Sequence, residues 1–264
     1  MLFLIKFFAA NAFRSRRVLL TGALAIVPVL LAAALLLVPR VTGGEFDGPS
    51  TFLQMGLLLH LYILLPLFAA LVGSGAVADE VEERTLPYIL TRPVPKWRFA
   101  VAKIVSGFVV TGMILAVSLW VTYAVLFGPS GALTAGLVTL LRVTGVMLLG
   151  SLAYVSLFAL LGAAVRRPVL YGLVFAFGWE KIVAHLPMRL KYFTVVKYLN
   201  DLYPTYRGEG TGLEQVMDEA LKQLFRGGGA SIPVSILSLI LTAACCAGLT
   251  ALLLYIREYR LEQE

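Results

Sequence analysis

The sequence predicts an all-α integral membrane protein, and three observations carry that prediction. Of the 264 residues, 59% are hydrophobic and 14% charged, where a soluble domain carries roughly a quarter charged. Mean hydropathy is +0.88, and the apolar residues gather into six runs near the ~20 residues that a spanning helix needs. No stretch of alternating residues supports a transmembrane barrel. The runs take up most of the chain, so the reading is one membrane domain over 1–264 with no room for a separate catalytic domain.

Each element follows in order. Residues 1–17, MLFLIKFFAANAFRSRR, are apolar early and basic late. That pattern suits an amphipathic elbow helix lying in the interface. The spans are read at 18–38, 52–77, 103–127, 143–165, 168–186 and 232–256. Between the second and third lies a charged loop, 78–102, and between the fifth and sixth a long segment, 187–231. In that segment Thr211 and Glu214 form a capping box, and Gly227 can end the helix they open. Leu213, Val216, Met217, Ala220, Leu221, Leu224 and Phe225 recur on one face, which predicts an outer amphipathic helix packed on the bundle or the membrane. The preceding YLNDLYPTYRG is rich in tyrosine, and interfacial tyrosines are a common anchor.

Orientation follows from the bases of the short loops. With the N-terminus inside, that side holds Lys6, Arg14, Arg16 and Arg17, then Arg84, Arg92, Lys96, Arg98 and Lys103, then Arg166, Arg167, Arg257 and Arg260. The short outer loops hold Arg40 and Arg142. Both termini are therefore expected in the cytoplasm of a plasma or inner membrane. Cleavage of a leader is not expected, because the apolar run 18–38 is too long for a signal peptide and ends in Val-Pro-Arg.

The search for catalytic chemistry finds little. The closest approach to a phosphate-binding loop, GVMLLGS at 145–151, lacks the lysine and lies inside a span. No metal-ligand spacing is present, and Cys245 and Cys246 are adjacent packing residues. GSG at 73–75 lacks the first glycine of an intramembrane protease motif, and small residues there favour close helix packing. No catalytic residue, metal or cofactor is expected in this chain, nor a nucleic-acid partner.

Ionisable groups inside spans are costly and face protein or water. His60 is about 12 Å from the outer end of the second run and Glu180 about 10 Å from that of the fifth, so the two share a depth. Lys181 points about 100° away from Glu180 around the helix. They are read either as groups satisfied by each other or by a neighbouring helix, or as the lining of an outward pathway or its gate.

The charged loop carries the strongest signal. Glu80 and Glu82, then Thr85-Leu86, then TRPVPKWRF, then Ala102-Lys103 opening a span, resemble the pattern of ABC-2 type transporter permeases. The family usually has Gly before Thr-Leu, Ser closing the Pro-Val turn and Gly before the lysine, where this chain has Arg84, Pro95 and Ala102, and here Pro87 follows Thr-Leu. The resemblance implies a six-span transmembrane subunit that pairs with a second permease copy, identical or homologous, and with two ATP-binding subunits holding ATP and Mg. It also implies that Glu80, Glu82, Thr85, Leu86, Tyr88, Ile89, Leu90, Arg92, Pro93 and Lys103 form the coupling element, and that spans two and five line the pathway. Pro87 fits the first turn of a helix, and Pro93 with Pro95 stops it. A short apolar knob would result, framed by charges that add specificity more than affinity. The leading expectation is ATP-driven export of a substrate the apolar lining does not identify. The rivals are a proton-coupled secondary transporter with Glu180 and His60 as relay, though no internal repeat is legible, and a non-transporting anchor that passes ATP-driven motion to an outer partner.

Overall fold

A computed structural model describes residues 2–13, 15–42, 47–82, 95–128, 133–134, 136–180, 183, 194–204 and 231–256, and among these it is helical with no strand. The elements are α1 (Leu2–Phe13), α2 (Arg16–Leu24), α3 (Val27–Thr42), α4 (Gly48–Met55), a π-helical stretch (Gly56–Leu64), α5 (Leu65–Glu82), α6 (Lys96–Phe127) and α7 (Leu137–Ala164). They are followed by α8 (Pro168–Leu173), a second π-helical stretch (Val174–Trp179), α9 (Val195–Leu202) and α10 (Ile232–Ile256).

Five helices among the described residues are long and apolar enough to cross a membrane: Arg16–Leu37, Gly48–Ala76, Lys96–Phe127, Leu137–Ala164 and Ile232–Ile256. Five of the six spans expected thus have a counterpart among the described residues. The last span matches its reading residue for residue, while the others shift for local reasons. The first is broken at Ala25 and Ile26, because Pro28 has no N–H and its ring excludes the carbonyl four residues earlier. The second starts at Gly48 and continues to Glu82, since Asp79, Glu80 and Glu82 end apolarity without ending the helix. The third begins at Lys96, directly after its N-cap Pro95. The fourth begins at Leu137, so Arg142 lies within α7, with its side chain exposed. The fifth run yields only a 12-residue apolar helix, Pro168–Trp179.

α7 is the axis of the bundle and packs against α5, α6, α8, α9 and α10. Close approach depends on small residues. A Cβ on Gly73 would lie 2.9 Å from the Val155 carbonyl oxygen, and one on Gly162 would strike the Ser74 carbonyl. The GSG stretch is therefore a contact surface between α5 and α7. By contrast, only 22% of the hydrophobic window of α10 is buried, and 28% of that in the first span; Cys245 on α10 faces outward while Cys246 is buried.

Two clusters mark the ends. Phe8 of α1, Phe99 and Ala102 of α6, Ala163 of α7 and Leu254 of α10 pack together, with the Lys103 ammonium 4.5 Å from the Phe8 ring centre. The N-terminal helix, the start of α6 and the ends of α7 and α10 thus share one side. At the opposite end Phe52, Tyr123 and Phe127 form an aromatic group, with Tyr123 stacked on Phe127 at 4.3 Å.

Candidate functional site

The sequence singles out His60 and Glu180, and both side chains are fully buried. The structure places them in separate hydrogen-bonded sets, each reaching a neighbouring helix. His60 lies in the π-helical stretch of the second span. Its Nε2 is 3.2 Å from Ser118 Oγ on α6, and that hydroxyl donates to the Ala25 carbonyl at 2.7 Å. Ser118 has one proton and gives it to Ala25, so Nε2–H of His60 is the donor to Ser118. The carbonyl that receives this bond lies at the break between α2 and α3. A hydroxyl from α6 thus satisfies a backbone group in a medium where an unpaired one costs several kcal/mol.

Glu180 follows the second π-helical stretch, whose wider turn resets the direction of the side chains beyond it. Its carboxylate accepts from the Tyr154 hydroxyl of α7 and, at 3.1 Å, from the Val195 backbone N–H. Val195 is the first residue of α9, and a carboxylate there meets the positive end of the helix dipole.

α9 overturns one reading of the sequence. The sequence reads YLNDLYPTYRG as anchored in part by interfacial tyrosines, yet Tyr203, and Val195, Val196 and Leu199 beside it, are buried in the bundle. Leu199 closes on Gly150, 3.0 Å from the position of an added Cβ and near the middle of α7. Tyr154, which fixes the depth of Glu180, is about 15 Å along α7 from Ala164. At the other end of α9 the Tyr203 hydroxyl donates to the Leu53 carbonyl of α4 at 2.9 Å, and Gly56 gives that hydroxyl the room a side chain would fill. From Glu180 depth to Leu53 depth, α9 runs inside the protein.

Its polar residues find partners locally. The Lys197 ammonium pairs with Asp201 one turn on at 2.8 Å, as buried charges require. Asn200 Oδ1 accepts from Tyr62 of the second span at 2.7 Å. Sequence reasoning missed Tyr154, Ser118, Tyr62, Lys197, Asn200 and Asp201; the available signal was the Lys-Asn-Asp set between two apolar segments.

Of the loop residues, Lys103 on α6 sits against the cluster of Phe8 and Phe99, and Glu80 and Glu82 belong to the last turns of α5. Thr85, Leu86, Tyr88, Ile89, Leu90, Arg92 and Pro93 lie outside the described residues, as do Lys181 and the segment from Thr211 to Gly227. Among the described residues no group of His, Cys, Asp and Glu is arranged to hold a metal ion.

A bundle of apolar helices with buried polar sets at its breaks defines a multi-pass membrane protein. Residues 13–178 match the family described as ABC-2 family transporter protein, and the chain belongs to that family. It is accordingly a membrane permease of the ABC transporter class. No curated protein matches the chain.

Proposed function

We propose that this chain is the membrane half of an ATP-driven exporter, working as a pair of permeases with two copies of a separate ATP-binding subunit that carries ATP and Mg. The observation that carries the reading is the family match from residue 13 to residue 178, which spans the first four membrane helices, the charged loop and α8. The bases of the short loops support cytoplasmic termini in a plasma or inner membrane. The shared cluster of Phe8, Phe99, Ala163 and Leu254 is consistent with that layout, since it puts α1 and the end of α10 on one side. Six crossings then result, the fifth built from α8 and α9 as two half-helices. Irregular backbone at membrane depth is tolerated where protein surrounds it.

In this reading the loop from Arg84 to Pro95 seats in a groove of the ATP-binding subunit, with Tyr88, Ile89 and Leu90 as its apolar contact. Closure of the two ATP-binding subunits moves these knobs and shifts the permeases between inward and outward states. Energy enters as a population shift.

Affinity purification from native membranes tests the proposal. The tagged chain brings down an ATP-binding subunit, and the Tyr88→Ala, Ile89→Ala, Leu90→Ala triple variant loses it or cuts its transport-linked ATPase at least tenfold. No co-purified ATPase, together with a silent triple variant, ends the exporter reading. Substrate-stimulated hydrolysis in liposomes separates an exporter from an anchor, and dependence of flux on a proton gradient without ATP would favour the secondary transporter.

A further inference from the structure

The region between α7 and α10 contains a helix that begins inside the bundle. The first N–H groups of any helix have no partner within it, and in a membrane interior each must be satisfied by protein. Thr194, the N-cap of α9, makes no side-chain cap bond. The acceptor for Val195 comes instead from Glu180, the residue that follows the second π-helical stretch. Tyr154 donates to the same carboxylate from the central helix. All three groups are buried.

α8 and the π-helical stretch after it form one segment that packs on the bundle through Pro168, Gly172 and Ala176, with the half-buried Leu173 and Phe175 beside them; Gly172 lies against Phe158 of α7 and Ala70 of α5. Its other face, with Leu170, Tyr171, Val174 and Phe177, is exposed. α9 is fixed at its far end to the second span, by Asn200 to Tyr62 and by Tyr203 to Leu53. α8 thus meets the second span directly at Ala70, α9 meets it through Asn200 and Tyr203, and between α8 and α9 the described junction is the Glu180 carboxylate.

Resting on the exporter reading above, we infer that Glu180 is a positioning residue that makes α9 follow α8, so that the outer half of the fifth crossing moves with the inner half. The link is the hydrogen bond from Val195 and needs a carbonyl-type acceptor at position 180 rather than a full charge. Glu180→Gln keeps that acceptor. Glu180→Ala removes it. Val195→Pro removes the donor while suiting the first position of a helix, and Thr194 need not change: its φ of −99° and ψ of 137° already match what a following proline imposes.

Hydrogen exchange over 195–202 provides the test in two arms. In the permease alone, in lipid nanodiscs, Glu180→Ala and Val195→Pro speed exchange of α9 at least tenfold while α10 is unchanged, and Glu180→Gln stays within threefold of wild type. In the complex with its ATP-binding subunit, trapping with ATP and vanadate changes protection of both α8 and α9 in wild type and in Glu180→Gln. The Ala and Pro variants change at α8 alone. Wild-type behaviour of α9 in Val195→Pro overturns the inference even where Glu180→Ala fails to fold. Absence of any partner ATPase sinks the exporter reading separately, and the first arm then decides whether the junction anchors α9.

Discussion

The second span and the α8–α9 region both contain a π-helical stretch, yet the two pack against the bundle differently. In the second span, Gly56–Leu64 passes into α5, which reaches Glu82 without a break. Val174–Trp179 leads to Glu180, and the next element with a described range is α9, Val195–Leu202. The difference lies in what each packs against. α5 is fitted to α7 by glycines so closely that side chains would strike backbone, whereas α8 meets the side chains of Phe158 and Ala70 at Gly172 and is joined to α9 through a carboxylate. Contact with backbone at that range resists sliding, while contact with side chains can yield.

The sharpest way to break this contrast is at the glycines. Gly162→Ala drives a methyl group into the Ser74 carbonyl, and overpacking of this kind costs about 3 kcal/mol. It should give the largest fall in melting temperature, read by fluorescence in detergent. Gly145→Ala is its control: nothing lies within 4 Å of the added Cβ, and the change should stabilise α7 by about 0.5–1 kcal/mol. Glu180→Ala comes next, at about 2 kcal/mol, because the Tyr154 hydroxyl and the Val195 N–H each lose an acceptor. Ser118→Ala removes the bridge from His60 to Ala25 and should cost about 1 kcal/mol, within the range for hydrogen bonds between membrane helices. Tyr203→Phe loses one bond to Leu53 and is the smallest, about 0.6 kcal/mol. Should Tyr203→Phe exceed Gly162→Ala, the contrast between the two regions is wrong.

Much of the fold is legible because long apolar runs have few alternatives. The reading of 232–256 coincides with α10, and GSG at 73–75 works as a packing surface. The errors come from equating polarity with an end of a span. Asp79 to Glu82 continue α5 beyond the apolar run, and Lys197 to Asp201 sit inside the bundle because each charge has a partner one turn away. Hydropathy sums residues singly and cannot register such pairing. The same limit divides the site. His60 and Glu180 stand out against apolar neighbours, but Ser118 and Tyr154 do not, since serine and tyrosine are ordinary in spans and only three-dimensional placement makes them partners.

The adjacent cysteines of α10 carry a practical consequence. Cys245 is exposed and Cys246 buried, but exposure on a membrane helix means contact with acyl chains. A thiol reacts with maleimide as its thiolate, a form that needs water. Natural labelling at Cys245 should therefore be slow in an intact bilayer, and a burst of alkylation during turnover would report water reaching the outward face of α10 without any engineered probe.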